Sequence, residues 1–128
     1  MSSYELFALA RDLRQQAMAC EQTRADVDGI WRELDQVLDP PVARHGPAVW
    51  QSASADASRL RLRHSHTHLL RLRYEIEQIA RRLQARAEEL YADAARVEIA
   101  AEAARQEEAR REEARELQLQ ISYFKSFY

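Results

Sequence analysis

Two long segments of the chain repeat apolar residues at alternating steps of three and four positions, the spacing that places side chains on one face of an α-helix. The first repeat follows Ser2 and Glu5, whose S-x-x-E spacing predicts a capping box at a helix start. Gln16 and Thr23 stand at the two positions where this repeat lacks an apolar residue. Its apolar members are Leu6, Leu9, Leu13, Cys20, Val27, Ile30, Leu34 and Val37. The pattern predicts a first helix over about residues 3–38.

The second repeat is much longer and predicts a second helix over about residues 48–116. Between the two, the Asp39-Pro40-Pro41 step ends the first helix, because proline lacks the amide donor and restricts the residue before it. Residues 39–47 then form the turn. The second apolar face consists of Leu62, His66, Leu69, Ile76, Ala80, Leu83, Ala87, Leu90, Ala94, Val97, Ala101 and Ala104. We expect an all-α fold, an antiparallel two-helix hairpin with an extended second helix, as one domain over residues 1–116.

The first helix is too short to cover the second. At about 1.5 Å per residue, some 35 residues span about 52 Å, whereas some 65 residues span nearly 100 Å. An apolar seam without an intramolecular partner needs cover from another chain. Leu83, Leu90 and Val97 are the residues expected in that oligomer seam. The sequence therefore predicts a homodimer or a heterodimer with another helical hairpin protein, arranged as a four-helix bundle or coiled coil.

Two tryptophans flank the predicted turn. In a hairpin that turns near residue 43, Trp31 and Trp50 come close together and plug the closed end. A run of Ser and Ala residues follows Trp50 and suits a close approach of two helices. The alternative is that Trp50 is only a hydrophobic anchor and that the Ser/Ala run has no special role.

After Glu116 the sequence changes from a highly charged segment to one rich in apolar and aromatic residues. The segment LQLQISYFKSFY alternates apolar and polar residues, which is the period of a β-strand. Such a run is costly to expose to water, so residues 117–128 are expected either to pack on the hairpin or to dock onto a partner. The residues expected to dock are Leu119, Ile121, Tyr123, Phe124 and Phe127.

The composition of the chain disfavours several classes of function. The chain has 128 residues and a net charge of -2, from 19 Lys and Arg against 21 Asp and Glu, which does not favour nucleic acid or anionic membranes. Cys20 is the only cysteine, so an intrachain disulfide is excluded. The sequence contains no recognisable nucleophile with a base, phosphate-binding loop or inward carboxylate cluster. We therefore predict a non-enzymatic protein without a cofactor.

The only candidate metal ligands are weak. His64 and His68 lie four residues apart on one helix face, whereas His66 falls on the apolar face, and two ligands do not complete a site. We predict no metal, with a pH-sensitive histidine patch as the alternative. The surrounding arginines scatter around the helix and do not form a coherent basic stripe. They are expected to pair with acidic residues of the first helix, namely Glu21, Asp26 and Asp28. Nucleic-acid binding is a remote alternative. These arginines are Arg59, Arg61, Arg63, Arg71 and Arg73.

The stretch VWQSASADASRLRLR, which places a tryptophan in the turn before small residues and an Ala-Asp-Ala step, resembles the WXG superfamily. These small helical proteins are associated with type VII (ESX) secretion in Gram-positive bacteria and actinobacteria. Trp50 matches the motif tryptophan, and Ser52 stands where the motif has glycine. The resemblance covers about residues 4–100. It implies a hairpin that pairs into a four-helix-bundle dimer and is exported folded as a partner, adaptor or effector.

The two ends of the chain bear on export. The segment MSSYELFALARDLR lacks the basic and apolar regions of a secretory signal peptide. The export signal of the WXG superfamily, a Tyr followed four positions later by Asp or Glu, has no strict match. At that spacing Tyr74 is followed by Gln78, Tyr91 by Ala95 and Tyr123 by Phe127. We expect a cytoplasmic location, or export without a cleaved signal beside a partner that carries the export signal. The alternative is an intracellular coiled-coil scaffold or chaperone-like adaptor.

Overall fold

The computed structural model of the chain describes residues 1–44 and 53–127, and the side chains of residues 1–36 and 54–127. It contains two α-helices, α1 over Ser3–Arg44 and α2 over Ala53–Phe127. No strand occurs among the described residues, so the all-α prediction is confirmed there. The helices pack together in two compact units, one formed by Met1–Ala17 with Glu88–Tyr128 and the other by Met18–Ala87.

The start of α1 is fixed from two sides. Ser2 Oγ accepts a hydrogen bond from the Glu5 amide at 3.2 Å, which confirms the predicted cap. Glu108 of α2 supplies a second cap, because its two carboxylate oxygens accept hydrogen bonds from the Ser3 amide at 2.9 Å and the Ser3 hydroxyl at 2.6 Å. First-turn amides have no partner within their own helix, and the helix dipole favours a negative charge there.

The end of α1 lies beyond the predicted one. The helix passes through Pro40 and Pro41 to Arg44, which corrects the expectation that it ends at Leu38. Proline removes a hydrogen-bond donor, but its fixed φ of about −65° is itself helical. The two prolines therefore weaken the last turns without stopping them. The predicted start of the second helix, near residue 48, lies outside the described residues.

Alanine, rather than large side chains, forms the core of the unit built from Met1–Ala17 and Glu88–Tyr128. Its buried apolar residues are Ala10 and Ala17 on α1 and Leu90, Ala94 and Ala101 on α2. Small side chains repeated every seven residues let two helix backbones approach closely. The Ser3 to Glu108 hydrogen bonds and an ion pair between Arg14 and Glu98 show that the two helices run antiparallel here.

The unit formed by Met18–Ala87 also has antiparallel helices. Arg24 Nη1 donates to Gln84 Oε1 at 2.5 Å, and Arg73 Nη1 lies 4.0 Å from Asp35 Oδ1. Its buried residues are Ala55, Ala80, Ala87 and Arg59. Polar contacts between the helices therefore set the register of this unit, while alanines again supply its buried apolar surface.

The predicted face of α2 is confirmed, because all twelve of its positions are buried or half-buried. The predicted face of α1 is wrong in part. Leu9, Ile30 and Leu34 are exposed, and so are Gln16 and Thr23 at the expected polar seam positions.

The residues that approach α2 instead of Gln16 and Thr23 are their neighbours Ala17 and Arg24. The true face of α1 is thus rotated by one residue at these positions. The rotation arises because small Ala17 and hydrogen-bonding Arg24 fit the close helix contact.

Candidate protein-binding surface

The C-terminal segment is helical, because α2 continues without a break through residue 127. This corrects both the predicted helix end near residue 116 and the strand-like interpretation of the tail. Some apolar residues of this segment also have helical spacing, since Leu117, Ile121 and Phe124 are four and three residues apart. Starting a helix is unfavourable, but extending an existing helix adds one backbone hydrogen bond per residue. Residues 117–127 therefore continue α2.

The apolar side chains of this segment are all exposed. Leu117 is 58% exposed, and the others are similar: Leu119, Ile121, Tyr123, Phe124 and Phe127. Within this segment, the Tyr123 ring lies edge-on against the Phe127 ring at a centroid distance of 4.8 Å. The expectation that this tail packs on the hairpin therefore does not hold for the described residues.

The side of α2 that faces α1 loses its apolar character at the same place. The seven-residue register of the buried face continues beyond Ala104 through Glu108, Arg111, Arg115, Gln118, Ser122 and Lys125. None of these is apolar, and all are exposed. A helix that extended α1 would therefore meet a polar surface on α2. The apolar side chains of residues 117–127 point mainly to other sides of α2.

The predicted oligomer seam belongs largely to the core of the single chain. Leu90 is only 3% exposed, and Leu83 and Val97 are half-buried. The expectation that this seam lacks cover within the chain is therefore wrong. α1 contacts α2 at Glu108, and the described residues beyond it, 109–127, are all exposed.

Trp31 lies where α1 and α2 approach each other in the second unit. The guanidinium of Arg73 sits 5.3 Å from the centroid of its indole ring, a cation–π distance. The Trp31 Nε1 donor is buried and has no hydrogen-bond partner among the described residues. Trp50 and Ser52, the predicted turn-motif residues, lie outside the described residues, and so does the predicted contact between the two tryptophans.

Replacing Trp31 by phenylalanine tests the cost of that buried donor. We expect Trp31→Phe to change the free energy of unfolding by less than about 1 kcal/mol, because it removes the unsatisfied donor while keeping a ring for Arg73. The matched variant Trp31→Ala should lose about 2–4 kcal/mol. Urea denaturation of both variants measures the difference. Equal losses would indicate that the indole nitrogen has a partner in solution.

The histidine cluster forms an open surface feature. His64, Thr67, His68 and Arg71 line a pocket of about 260 Å³ on one face of α2. Within the described part of the chain, no three His, Cys, Asp or Glu side chains are arranged to hold a metal ion. Arg71 adds a positive charge beside His64 and His68, which disfavours a cation.

Two of the five arginines considered for nucleic-acid binding contact their own chain. Arg59 is 8% exposed and pairs with Asp56. Arg73 contacts Trp31 and lies 3.3 Å from Glu77. Arg73 also lies 4.0 Å from Asp35 of α1, which was not among the acidic residues expected to pair. Of those expected, Asp28 lies 3.8 Å from Arg24 and Asp26 accepts a hydrogen bond from Gln22, both within α1.

The hydrogen bonds from Ser3 to Glu108 have an electrostatic consequence. The side-chain bond from Ser3, followed by the backbone bond and the charge of Arg111, lowers the pKa of Glu108 from its ordinary value of 4.5. A carboxylate whose pKa is lower in the folded state stabilises the fold above the unfolded pKa, and this stabilisation is lost as the pH falls through the folded pKa.

Protonation of Glu108 at low pH should therefore weaken its hydrogen bonds to Ser3 at the start of α1. We expect faster hydrogen exchange at the amides of residues 3–6 as the pH falls below 4.5, after correction for the intrinsic exchange rate. Glu108→Ala should show this faster exchange at neutral pH and lose the acid-dependent step. Glu112→Ala, which removes an exposed carboxylate one turn further along, is the control and should behave like the unchanged chain. A persistent acid step in Glu108→Ala would contradict the assignment.

No protein-family model matches the chain, and no curated protein or solved structure is significantly similar to it. Among the helices described, none is long and apolar enough to cross a membrane. The functional interpretation therefore depends on the surfaces of the chain itself.

Proposed function

We propose that the chain is a non-enzymatic helical-hairpin protein that acts by binding another helical hairpin, as a homodimer or heterodimer. The observation that carries this proposal is the exposed apolar end of α2, where six large apolar side chains over residues 117–127 are each more than half exposed. Contiguous apolar surface of this kind is typical of protein-binding sites. An amphipathic helix commonly binds by laying its apolar side against a complementary surface.

The biological setting that we propose is type VII secretion. The support is the resemblance of the turn sequence around Trp50 and Ser52 to the WXG superfamily, together with a chain that forms two helices packed against each other. In this setting the chain is a partner or adaptor that is exported folded with a second hairpin carrying the export signal. A permanently intracellular scaffold or adaptor is the alternative.

Export distinguishes these two settings. A tagged chain expressed in a bacterium with a type VII system should reach the culture medium, and should stay in the cells when the system's export ATPase is deleted. A cytoplasmic marker protein controls for lysis. Retention in the cells of both strains, with the chain folded and bound to a helical partner, would favour the intracellular scaffold.

A further inference from the structure

The histidine pocket of α2 lies in a stretch of sequence that has no acidic residue. Between Asp56 and Glu75 the chain contains five arginines and three histidines but no Asp or Glu. No carboxylate of this stretch offsets the positive charges, so the local field attracts anions. The residues that line the pocket are His64, Thr67, His68 and Arg71.

Four basic side chains of this stretch share one side of the helix, although its arginines as a whole scatter around α2. At about 100° per residue, the side chains that fall within an arc of about 80° are Arg61, His64, His68 and Arg71. All four are exposed. The half-buried residues of the stretch lie on the opposite side, at Leu62, His66 and Leu69. The four basic side chains therefore face away from the buried face of α2.

Arg71 supplies the permanent charge of the pocket. Arg59 pairs with Asp56, whereas no carboxylate of the described residues forms an ion pair with Arg71. Side chains on a helix lean toward its N-terminus. This direction brings the guanidinium of Arg71 back toward Thr67 and His68, in agreement with its place in the pocket lining.

We propose that His64, His68 and Arg71 bind a small tetrahedral oxyanion of the phosphate class. A guanidinium donates paired hydrogen bonds to such an anion, and each imidazole adds a donor. The Thr67 hydroxyl donates to the Arg63 carbonyl at 2.9 Å, so it lines the pocket without donating to the anion. The volume of about 260 Å³ is below the roughly 300–1,000 Å³ of sites for drug-sized molecules. A single phosphate group fits this volume better than a nucleotide.

The site goes beyond the proposed function, because it uses another surface of α2. It belongs to the unit formed by Met18–Ala87, whereas the proposed protein-binding surface consists of residues 117–127. A chain that binds an anion but no helical partner, or the reverse, would therefore separate the two proposals.

Anion binding at this site should strengthen as the pH falls. Histidine is the side chain that gains a positive charge between about pH 8 and pH 5. The other charged groups on this side of α2 are Arg61, Arg71 and Glu75, which leave one net positive charge before the histidines add theirs. Among the described residues, only side chains of α2 line the pocket. The histidines therefore control how the affinity changes with pH.

Sulfate is the probe for this pH dependence, because its own charge stays constant over the range. NMR signals of the His64 and His68 imidazoles should shift and saturate as sulfate is added at about pH 5, and the dissociation constant should be about fivefold higher or more at about pH 8. His66, on the opposite side of α2, is the internal reference. Shifts that grow linearly with sulfate, or equal shifts at His66, would overturn the proposal.

Two arginine variants test whether the pocket or the general charge of the stretch attracts the anion. Arg71→Gln should raise the dissociation constant for sulfate about two- to fivefold, because it removes an exposed charge from the pocket. Arg63→Gln removes the same charge from an exposed position on another side of α2 and should leave the constant unchanged. Circular dichroism should show equal helix content in both variants. Equal losses of affinity would overturn the site.

Inorganic phosphate and a lipid headgroup share the chemistry of this site. Inorganic phosphate at neutral pH should displace sulfate from the unchanged chain. Cosedimentation with vesicles of phosphatidylcholine and phosphatidic acid, but not of phosphatidylcholine alone, would identify a headgroup as the source if Arg71→Gln abolishes it. Phosphate binding without cosedimentation would identify the free anion. Failure of both phosphate and vesicles to bind would overturn the proposal.

Discussion

Replacing Ala94 with leucine should lower the free energy of unfolding by about 1–3 kcal/mol, because extra methylenes in a tight core force the surrounding structure apart. Ala94 is 1% exposed and belongs to the seven-residue series of alanines on α2. A leucine there has no space unless α1 moves away. Urea denaturation with circular dichroism detection measures the change.

Ala95→Leu is the matched control. Ala95 is the next residue of α2 and is exposed, so the same substitution should change the free energy of unfolding by less than about 0.5 kcal/mol. Similar stabilities for the two variants would mean that α1 and α2 are not in close contact at Ala94. Leucine has nearly the helix propensity of alanine, so any difference between the variants reports packing.

The same alanines explain why the sequence predicted one helix face better than the other. On α2 the apolar pattern included Ala80, Ala87 and Ala101, and their burial confirmed it. On α1 the predicted face consisted of larger residues such as Leu9 and did not include Ala10 or Ala17, which are buried. Since the closest contacts between helices require the smallest side chains, the residues that determine the packing were the least conspicuous in the hydrophobic pattern.

Polar contacts between the helices could not be predicted from the sequence. The cap that Glu108 places on Ser3 joins residues 105 positions apart, and no periodicity indicates it. The Arg24 to Gln84 bond likewise depends on a register that only the packed helices define. Local rules identified Ser2 as the cap of α1, because that bond joins residues three positions apart.

The tail is a short segment whose apolar residues fit both the two-residue period of a strand and the three- and four-residue steps of a helix. Leu117, Leu119, Ile121 and Tyr123 fit the alternation of a strand, whereas Leu117, Ile121 and Phe124 fit the three- and four-residue steps of a helix face. The sequence correctly identified which residues are chemically unusual, but not their secondary structure.

Ending the chain after Glu116 should leave the hairpin folded and abolish capture of its partner. Residues 117–127 are exposed, so their loss removes no buried apolar surface from the single chain, and surface changes of this kind alter stability by about 0.5 kcal/mol or less. The same residues carry the six exposed large apolar side chains that we propose bind the partner, so binding should fall below detection. Circular dichroism melts, performed at a concentration where the chain is monomeric, and pull-downs of a differently tagged second copy measure the two effects separately.

A full-length variant with Gln118→Ala and Ser122→Ala is the control for the truncation. It changes the same part of α2 on the side that faces α1 and should bind its partner normally. The two explanations of the tail predict opposite results. A tail that caps the hairpin would lower the melting temperature when deleted and leave binding intact, and that result would contradict docking. A tail that docks would leave the melting temperature unchanged, because its apolar side chains are already in water until a partner covers them.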